Sequence, residues 1–444
     1  MIRAPRRTGL VFFPAFDWAI SPTHPEREER LLYTQDQIME EGLLDIDGIV
    51  EYRVRRAAYE DIKRIHFCVP DEAAVTTESH LIAAGGCLVA ADAVMKGEVE
   101  SAFALVRPPG HHAMTVVHGN RGFCNINNEA IMIEYIRDTY GVKKVAIVDT
   151  DCHHGDGTQE IYWHDPDTLF ISIHQDGRTL YPGSGFPDEA GGPNALGATV
   201  NIPLPPQTGE EGFHQVLEEL IMPLLERFEP ELIVNSAGQD NHFNDPITNM
   251  NFSARGYAAL NARLKPDIAV LEGGYAVENA LPYVNVGIIM AMAGLDTATV
   301  KEPNYDADYR PQPAKITKYI HDLVGRLRPI FVEGRLKQTP YRDGEIIEQD
   351  RNIFYDTDGI QENQHQQLRY CADCAGALSI ASRSSLGSNV FAARVPRNAC
   401  PACEQTARSW FDDAMTGGRY HHVYLQDRVR KTYEGAKGMG HGVR

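Results

Sequence analysis

Three aspartates and two histidines crowd one stretch of this 444-residue chain, Asp149-Thr150-Asp151-Cys152-His153-His154-Gly155-Asp156-Gly157. Asp151 and His153 are two apart just beyond an apolar run. In extended backbone, side chains at i and i+2 point the same way, so a carboxylate and an imidazole face one point. Zn²⁺ accepts both, and a catalytic zinc takes three protein ligands and leaves a fourth position open. Asp245, beyond another apolar run, is the natural third candidate. Asp and His in Gly-rich loops also form turns and caps; that reading suits any one of these residues but fits the cluster poorly.

A second group is His111-His112, after Arg107-Pro108-Pro109-Gly110. Neighbouring carboxylates can set imidazole pKa values for acid–base work near neutrality, and Asp149 and Asp156 are left to orient this pair. A third is Tyr275 in Glu272-Gly273-Gly274-Tyr275. The glycines allow a tight turn, and a phenol there could donate to a developing oxyanion. Taken singly, these are also a pair of exposed loop histidines and a turn followed by a packed aromatic.

Elements must bring these groups together. Between about residues 100 and 290, apolar runs alternate with helical patterns, which predicts a parallel sheet. Strands are expected at 101–106, 144–148, 168–174, 231–235 and 267–271, and helices at 79–95, 213–228 and 316–331. Pro223 should kink the second helix. Ligands bind beyond the carboxyl ends of such strands, where Asp149, Asp151, His153, Asp240, Asp245 and Tyr275 all fall.

Added to these motifs are Gly122-Phe123-Cys124-Asn125, Pro182-Gly183-Ser184-Gly185, Ser236-Ala237-Gly238-x-Asp240 and Asp245-Pro246. In this order they resemble the zinc-dependent histone deacetylase family, over roughly residues 8–295. The resemblance implies an α/β fold of the arginase/deacetylase type, a parallel sheet of about eight strands flanked by helices. It implies zinc-dependent hydrolysis of an N-acetyl-lysine side chain or related acylated amine. Asp151, His153 and Asp245 match the zinc ligands, His111 and His112 the paired histidines with Asp149 and Asp156 behind them, and Tyr275 the residue that polarises the acetyl carbonyl. His112 is the expected general base. Gly122, Phe123, Tyr181 and Ile247 match the substrate tunnel, and Arg27 an arginine at the acetate exit. Asp149, Asp151, His153, Ser172 and Ile173 match a K⁺ site, and Asp71 lies near a rim aspartate.

Polyamine-specialised relatives can carry Glu at the position of Ile247, so lysine is expected ahead of an acetylpolyamine. A non-catalytic acyl-lysine-binding scaffold would have lost a zinc ligand or Tyr275, and neither is lost. An arginase-like enzyme would need a second full set of metal ligands.

The remaining residues divide as follows. Residues 1–340 form the catalytic domain, 341–367 a linker or domain edge, 368–425 a four-cysteine zinc-ribbon-like module and 426–444 a flexible basic tail. Cys371, Cys374, Cys400 and Cys403 make two Cys-x-x-Cys pairs, a structural zinc signal. With one catalytic zinc this makes two, plus K⁺. Such cysteine usage fits a reducing compartment. No run of 18 apolar residues is present, and Pro14, Asp17 and Pro22 interrupt the apolar start too early for a signal peptide. The expected location is cytoplasmic, with no membrane partner; a homo-oligomer stays open. A net charge of −19 argues against nucleic acid and suits a cationic substrate. Arg394, Arg397, Arg428, Arg430 and Lys431 keep nucleic acid open for the carboxyl-terminal module alone.

Overall fold

The strand pattern resolves into two large sheets and a small two-stranded one. The structure, a computed structural model, describes residues 2–13, 19–21, 23–336 and 339–437; Pro14, Asp17, Pro22 and the last seven residues of the expected tail lie outside the described residues. The first ten strands are β1 (Arg3–Phe12), β2 (Asp47–Tyr52), β3 (Phe67–Cys68), β4 (Ser101–Leu105), β5 (Val116–Val117), β6 (Val145–Asp149), β7 (Thr168–Gln175), β8 (Thr199–Leu204), β9 (Leu232–Ala237) and β10 (Ile268–Leu271). Eight of them form one sheet in the order β2-β1-β4-β10-β9-β6-β7-β8, with every neighbouring pair parallel. Strands β4, β6, β7, β8 and β10 are buried at every position. That is why their sequences read as continuous apolar runs: helices cover both faces.

The helices answer to the same sheet. Glu78–Met95 packs on β1 and β4. Its mean hydropathy is 1.2, and 67% of it is buried, so its apolar surface is spent on the core. The run expected at 213–228 is Glu210–Val216, a wide turn over Leu217–Ile221, then Met222–Phe228. Pro223 lies in the first turn of the last segment. Its missing N–H is tolerated there, and the i→i+5 turn before it absorbs the mismatch. Ala314–Phe331 buries Ile316, Ile320, Leu323, Val324 and Leu327 in the same core.

The second sheet corrects the expected domain division. Strands β11 (Ile346–Tyr355), β12 (Ile360–Arg369), β13 (Ala377–Ser384), β14 (Asn389–Val395), β15 (His422–Asp427) and β16 (Thr432–Lys437) lie side by side in chain order. All pairs are antiparallel except β14 and β15, which are joined by the helix Pro401–Gly417. Residues 341–367 are therefore no linker, and the expected tail contributes a strand as far as Lys437. The physical reason lies in β12: its buried positions include Glu362, Gln364 and Gln366. They satisfy one another, as Gln364 donates to Glu362 (2.8 Å) and Gln366 to Gln364 (2.8 Å). Hydropathy cannot see a buried face made of polar groups. The six-stranded sheet shares cores with the first part of the chain: Phe67, Val69 and Val116, on and beside β3 and β5, pack with Leu378, Ile380, Val390 and Tyr424, and Met114 packs with Ile353, Tyr355 and Ile360.

One ion cluster ties the first sheet to its helices. Glu26 is fully buried and receives Arg30 Nη1 (3.0 Å) and Arg107 Nε (2.9 Å) and Nη2 (2.6 Å). Arg30 in turn donates to the carbonyls of Gly274 and Glu272 just beyond β10. Removing one partner of a buried ion cluster typically costs about 3–5 kcal/mol. Glu26→Ala should lower unfolding stability by that amount in urea titrations, and a loss under about 1 kcal/mol, the scale of a surface pair, would contradict this account.

Candidate active site and metal centres

Parallel pairing sets Asp149 level with both Ser172 and Ser236, and Leu271 level with Ala237. The loops after β6, β9 and β10 consequently leave the sheet at one height and meet. Asp151 accepts the amides of His153 (2.8 Å) and Gly273 (2.7 Å). His153 Nδ1 lies 2.8 Å from Asp240 Oδ2 and 3.2 Å from Asp151 Oδ1. Potential ligand atoms of Asp151, His153 and Asp240 lie within 4.8 Å of one another. Asp245, the expected third ligand, is outside this tightest group. It is buried beside it, its oxygens taking the amides of Ile247 (3.0 Å) and Tyr275 (2.8 Å). Asp240 was visible in the sequence only as a strand-end aspartate.

The electrostatics show a surplus of buried negative charge. Burial, then the neighbouring Asp240, pushes Asp245 up to about 8. Burial and Asp151 raise Asp240. Asp151 itself is held well below the usual carboxylate range: burial works against its charge, but His111 and His153 outweigh it. An oxygen-and-imidazole donor set with excess anionic charge suits Zn²⁺. Glycine leaves the room this packing needs: a Cβ on Gly238 would sit 2.0 Å from Asp151 Oδ2.

Beside this cluster stand two imidazoles with different partners. His111 Nδ1 is 3.1 Å from Asp149 Oδ2, and His112 Nδ1 is 2.8 Å from Asp156 Oδ1. The ring centroids are 4.1 Å apart. Burial opposes charge on both. For His111, Asp151 and Asp149 overcome it and lift the pKa well above 6.5. For His112, burial and the charged His111 win, and the pKa falls to about 3. Asp156 cannot rescue it, because Arg121 claims the same carboxylate at 2.8 and 2.5 Å. His112 is neutral at pH 7, with Nδ1–H facing Asp156 and Nε2 left to accept a proton.

Phe123 and Tyr181 both lie against this group of residues. Phe123 meets Tyr275 edge-on at 5.7 Å, and Tyr181 meets His112 at 5.1 Å and His153 at 6.4 Å. Gly122 is buried and Ile247 half-buried. Arg30 lies 5.1 Å over the Tyr275 ring.

Two expected positions change. Arg27 is half-exposed and pairs with Glu29 at 3.4 Å. Arg30, on the buried face of Glu29–Glu40, reaches the interior, whereas Arg27 precedes that helix. Asp71 caps the helix Glu72–Val75 by accepting the Ala74 amide (3.0 Å), so it is engaged by its own turn. Ser172 stands level with Asp149, with its Oγ 2.8 Å from His174 Nδ1. Ile173 follows it on β7.

The second metal cluster is formed by Cys371, Cys374, Cys400 and Cys403. All four sulfurs are free and mutually within 4.8 Å, with Cys371 and Cys400 3.7 Å apart. The first pair sits in the β12–β13 turn and the second opens the helix Pro401–Gly417, a knuckle-and-helix arrangement on a larger sheet rather than a bare ribbon. Hydrogen bonding, first from Cys403, pulls the Cys374 thiol down to about 5. Asn194 of the catalytic domain donates to the carbonyls of Cys371 (2.5 Å) and Cys374 (2.9 Å). The nearby basic residues are also engaged within the chain: Arg397 and Arg428 pair with Glu134, Arg430 with Asp427 and Glu404, Arg394 bonds Gln426, and Lys431 bonds the Asp138 carbonyl.

Comparison with known proteins agrees with this geometry. Residues 71–286 match the histone deacetylase domain family. A probable deacetylase of Archaeoglobus fulgidus is 44% identical over 348 residues, which cover 71% of this chain and 95% of the relative. A histone deacetylase-like amidohydrolase of Pseudomonas aeruginosa is 32% identical over 321 residues, 65% of this chain and 81% of the relative. The crystal structure of the HDA15 HD domain superposes with a TM-score of 0.63 at 26% identity, covering 74% of this chain and 96% of that one.

The unequal histidines are testable. In metal-free protein, NMR titration should find His112 neutral from about pH 5 upward, since its pKa is about 3, while His111 stays charged through pH 7. A His112 midpoint near its ordinary value would contradict the arrangement.

Proposed function

This chain belongs to the histone deacetylase family, and we propose that it is a zinc-dependent deacetylase that hydrolyses the amide of an N-acetyl-lysine side chain. The observation that carries the reading is the meeting, in one pocket, of the Asp/His metal cluster, the two histidine–aspartate pairs and Tyr275. Asp151 and His153 would hold the metal with Asp245, which retains 8% exposure where Asp240 has none. When bound there, Zn²⁺ supplies Lewis acidity toward the acyl carbonyl and makes water more acidic.

The chain's own groups supply the rest. Phe123 and Tyr181 clasp the aliphatic stem. Neutral His112 takes a proton from the attacking water at Nε2, while Asp156 holds its Nδ1–H and so keeps Nε2 free. The Tyr275 hydroxyl donates to the carbonyl oxygen as negative charge builds there. Burial keeps that phenol protonated, raising its pKa well above 10. His112 then returns its proton to the departing amine. Ile247 offers no carboxylate to a distal ammonium, which supports lysine over a polyamine. A second zinc on the four clustered cysteines, K⁺ beside Asp149 and Ser172, and a cytoplasmic location complete the proposal; the cysteine thiolates would close their site and serve folding.

Three measurements test this. Tyr275→Phe should lower kcat on an acetyl-lysine peptide by about 10²–10³-fold with metal content unchanged; near-normal turnover would remove Tyr275 from the chemistry. Metal analysis should return roughly two zincs per chain, with one lost in Cys371→Ser plus Cys400→Ser. A panel of acetyl-lysine peptides and acetylpolyamines should favour the peptides, and a strong polyamine preference would overturn the assignment from Ile247.

A further inference from the structure

The tight turn between β11 and β12, residues 356–359, reaches across to the catalytic domain. One oxygen of Asp356, Oδ1, accepts both the Tyr181 hydroxyl (2.9 Å) and the Gly122 amide (3.0 Å). Asp358 Oδ2 accepts the Asn120 amide (2.7 Å). The approach is close: a Cβ on Gly119 would lie 2.4 Å from Asp358 Oδ2 and 2.9 Å from Ile360 Cδ1. Residues 119–123 and Tyr181, beside His112 and Tyr275, are thus held by a hairpin from the other sheet.

Tyr181 needs such a tether. Its ring faces His112 on one side. It also lines a cleft of about 740 Å³ against the second sheet, together with Arg121, Pro182, Phe354 and Asp356 among others. Among the described residues, no packed core backs the ring there. Besides the His112 and His153 rings, the side chain is met by the Asp356 hydrogen bond and by Arg121, whose guanidinium lies 5.6 Å over the ring. Arg121 is also the group that competes for Asp156.

We propose that Asp356 is a positioning residue of the carboxyl-terminal sheet that fixes Tyr181 and Gly122, and thereby restricts the tunnel to short acyl groups. The inference rests on the deacetylase reading. When the tether is cut, the Tyr181 phenol is free to swing into the cleft and the tunnel widens toward that space. The carboxylate acts here as a hydrogen-bond acceptor. An amide carbonyl oxygen also has two lone pairs, so Asn at this position can accept the same two donors.

The experiment compares Asp356→Ala and Asp356→Asn with the full-length wild type on acetyl- and butyryl-lysine peptides, alongside hydrogen–deuterium exchange of residues 119–123. Asp356 is exposed, so both variants should fold with near-normal melting temperatures. Asp356→Ala should lose about tenfold in kcat/KM on the acetyl peptide, the scale of one hydrogen bond. Its acetyl-over-butyryl preference should fall by a similar factor, and exchange in 119–123 should rise. Asp356→Asn should stay within about twofold of wild type on every measure. An unchanged preference or unchanged exchange in Asp356→Ala overturns the proposal. So does an Asn variant that matches Ala, which would assign the effect to charge. A wild type inactive on all acyl-lysines refutes the deacetylase reading instead, and the exchange result still decides whether Asp356 holds the loop.

Discussion

Eight carboxylates, Glu26, Glu129, Asp149, Asp151, Asp156, Asp240, Asp245 and Glu272, are buried around the carboxyl ends of one parallel sheet. Like charges in so small a volume repel strongly where water cannot screen them. The rest of the structure is organised by the need to neutralise them. Arg30 and Arg107 answer Glu26, Arg121 answers Asp156, and His111 answers Asp149. Where no cation of the chain is in reach, charge is given up instead: burial, then Glu272, lifts Glu129 to about 8. Asp240 and Asp245 share the remaining surplus.

The same constraint separates two adjacent histidines. They follow one another in the chain and their rings nearly touch, yet only one of them carries charge. His111 faces two carboxylates, Asp149 and Asp151, and among the described residues no arginine pairs with either. His112 faces a carboxylate already neutralised by Arg121, and sits against the charged His111. The result is a base that is neutral where it is needed, built from a residue whose ordinary pKa would leave it partly protonated.

The second sheet is an integral wall of the first. It contributes apolar residues to shared cores, carbonyl-to-side-chain ties at the cysteine turn, and two aspartates at the tunnel. Its arginines, suggestive of a nucleic-acid surface when read in isolation, are engaged in docking, with Arg397 and Arg428 meeting the buried Glu134. An overall charge of −19 is consistent with this use of cations as internal struts.

Much was legible in the chain itself. Continuous apolar runs marked the buried strands, the three-and-four spacing marked the helices, and loop motifs at strand ends marked Asp151, His153, the histidine pair and Tyr275. These are local signals: a strand covered on both faces must be apolar, and a site at strand ends must lie in the next few residues. The spacing of four cysteines was equally readable, because metal coordination demands it. What the chain could not declare is whatever depends on separation across the fold. β12 hid because its buried face is polar and satisfied by neighbours. Arg30 reaches the carbonyls beyond β10 because it lies on the buried face of Glu29–Glu40, while Arg27 precedes that helix. Asp240 stands closer to His153 than Asp245 does, and Asp356 reaches Tyr181 across 175 residues. Burial and distance set the energy of these contacts, and both exist only once the two sheets have packed.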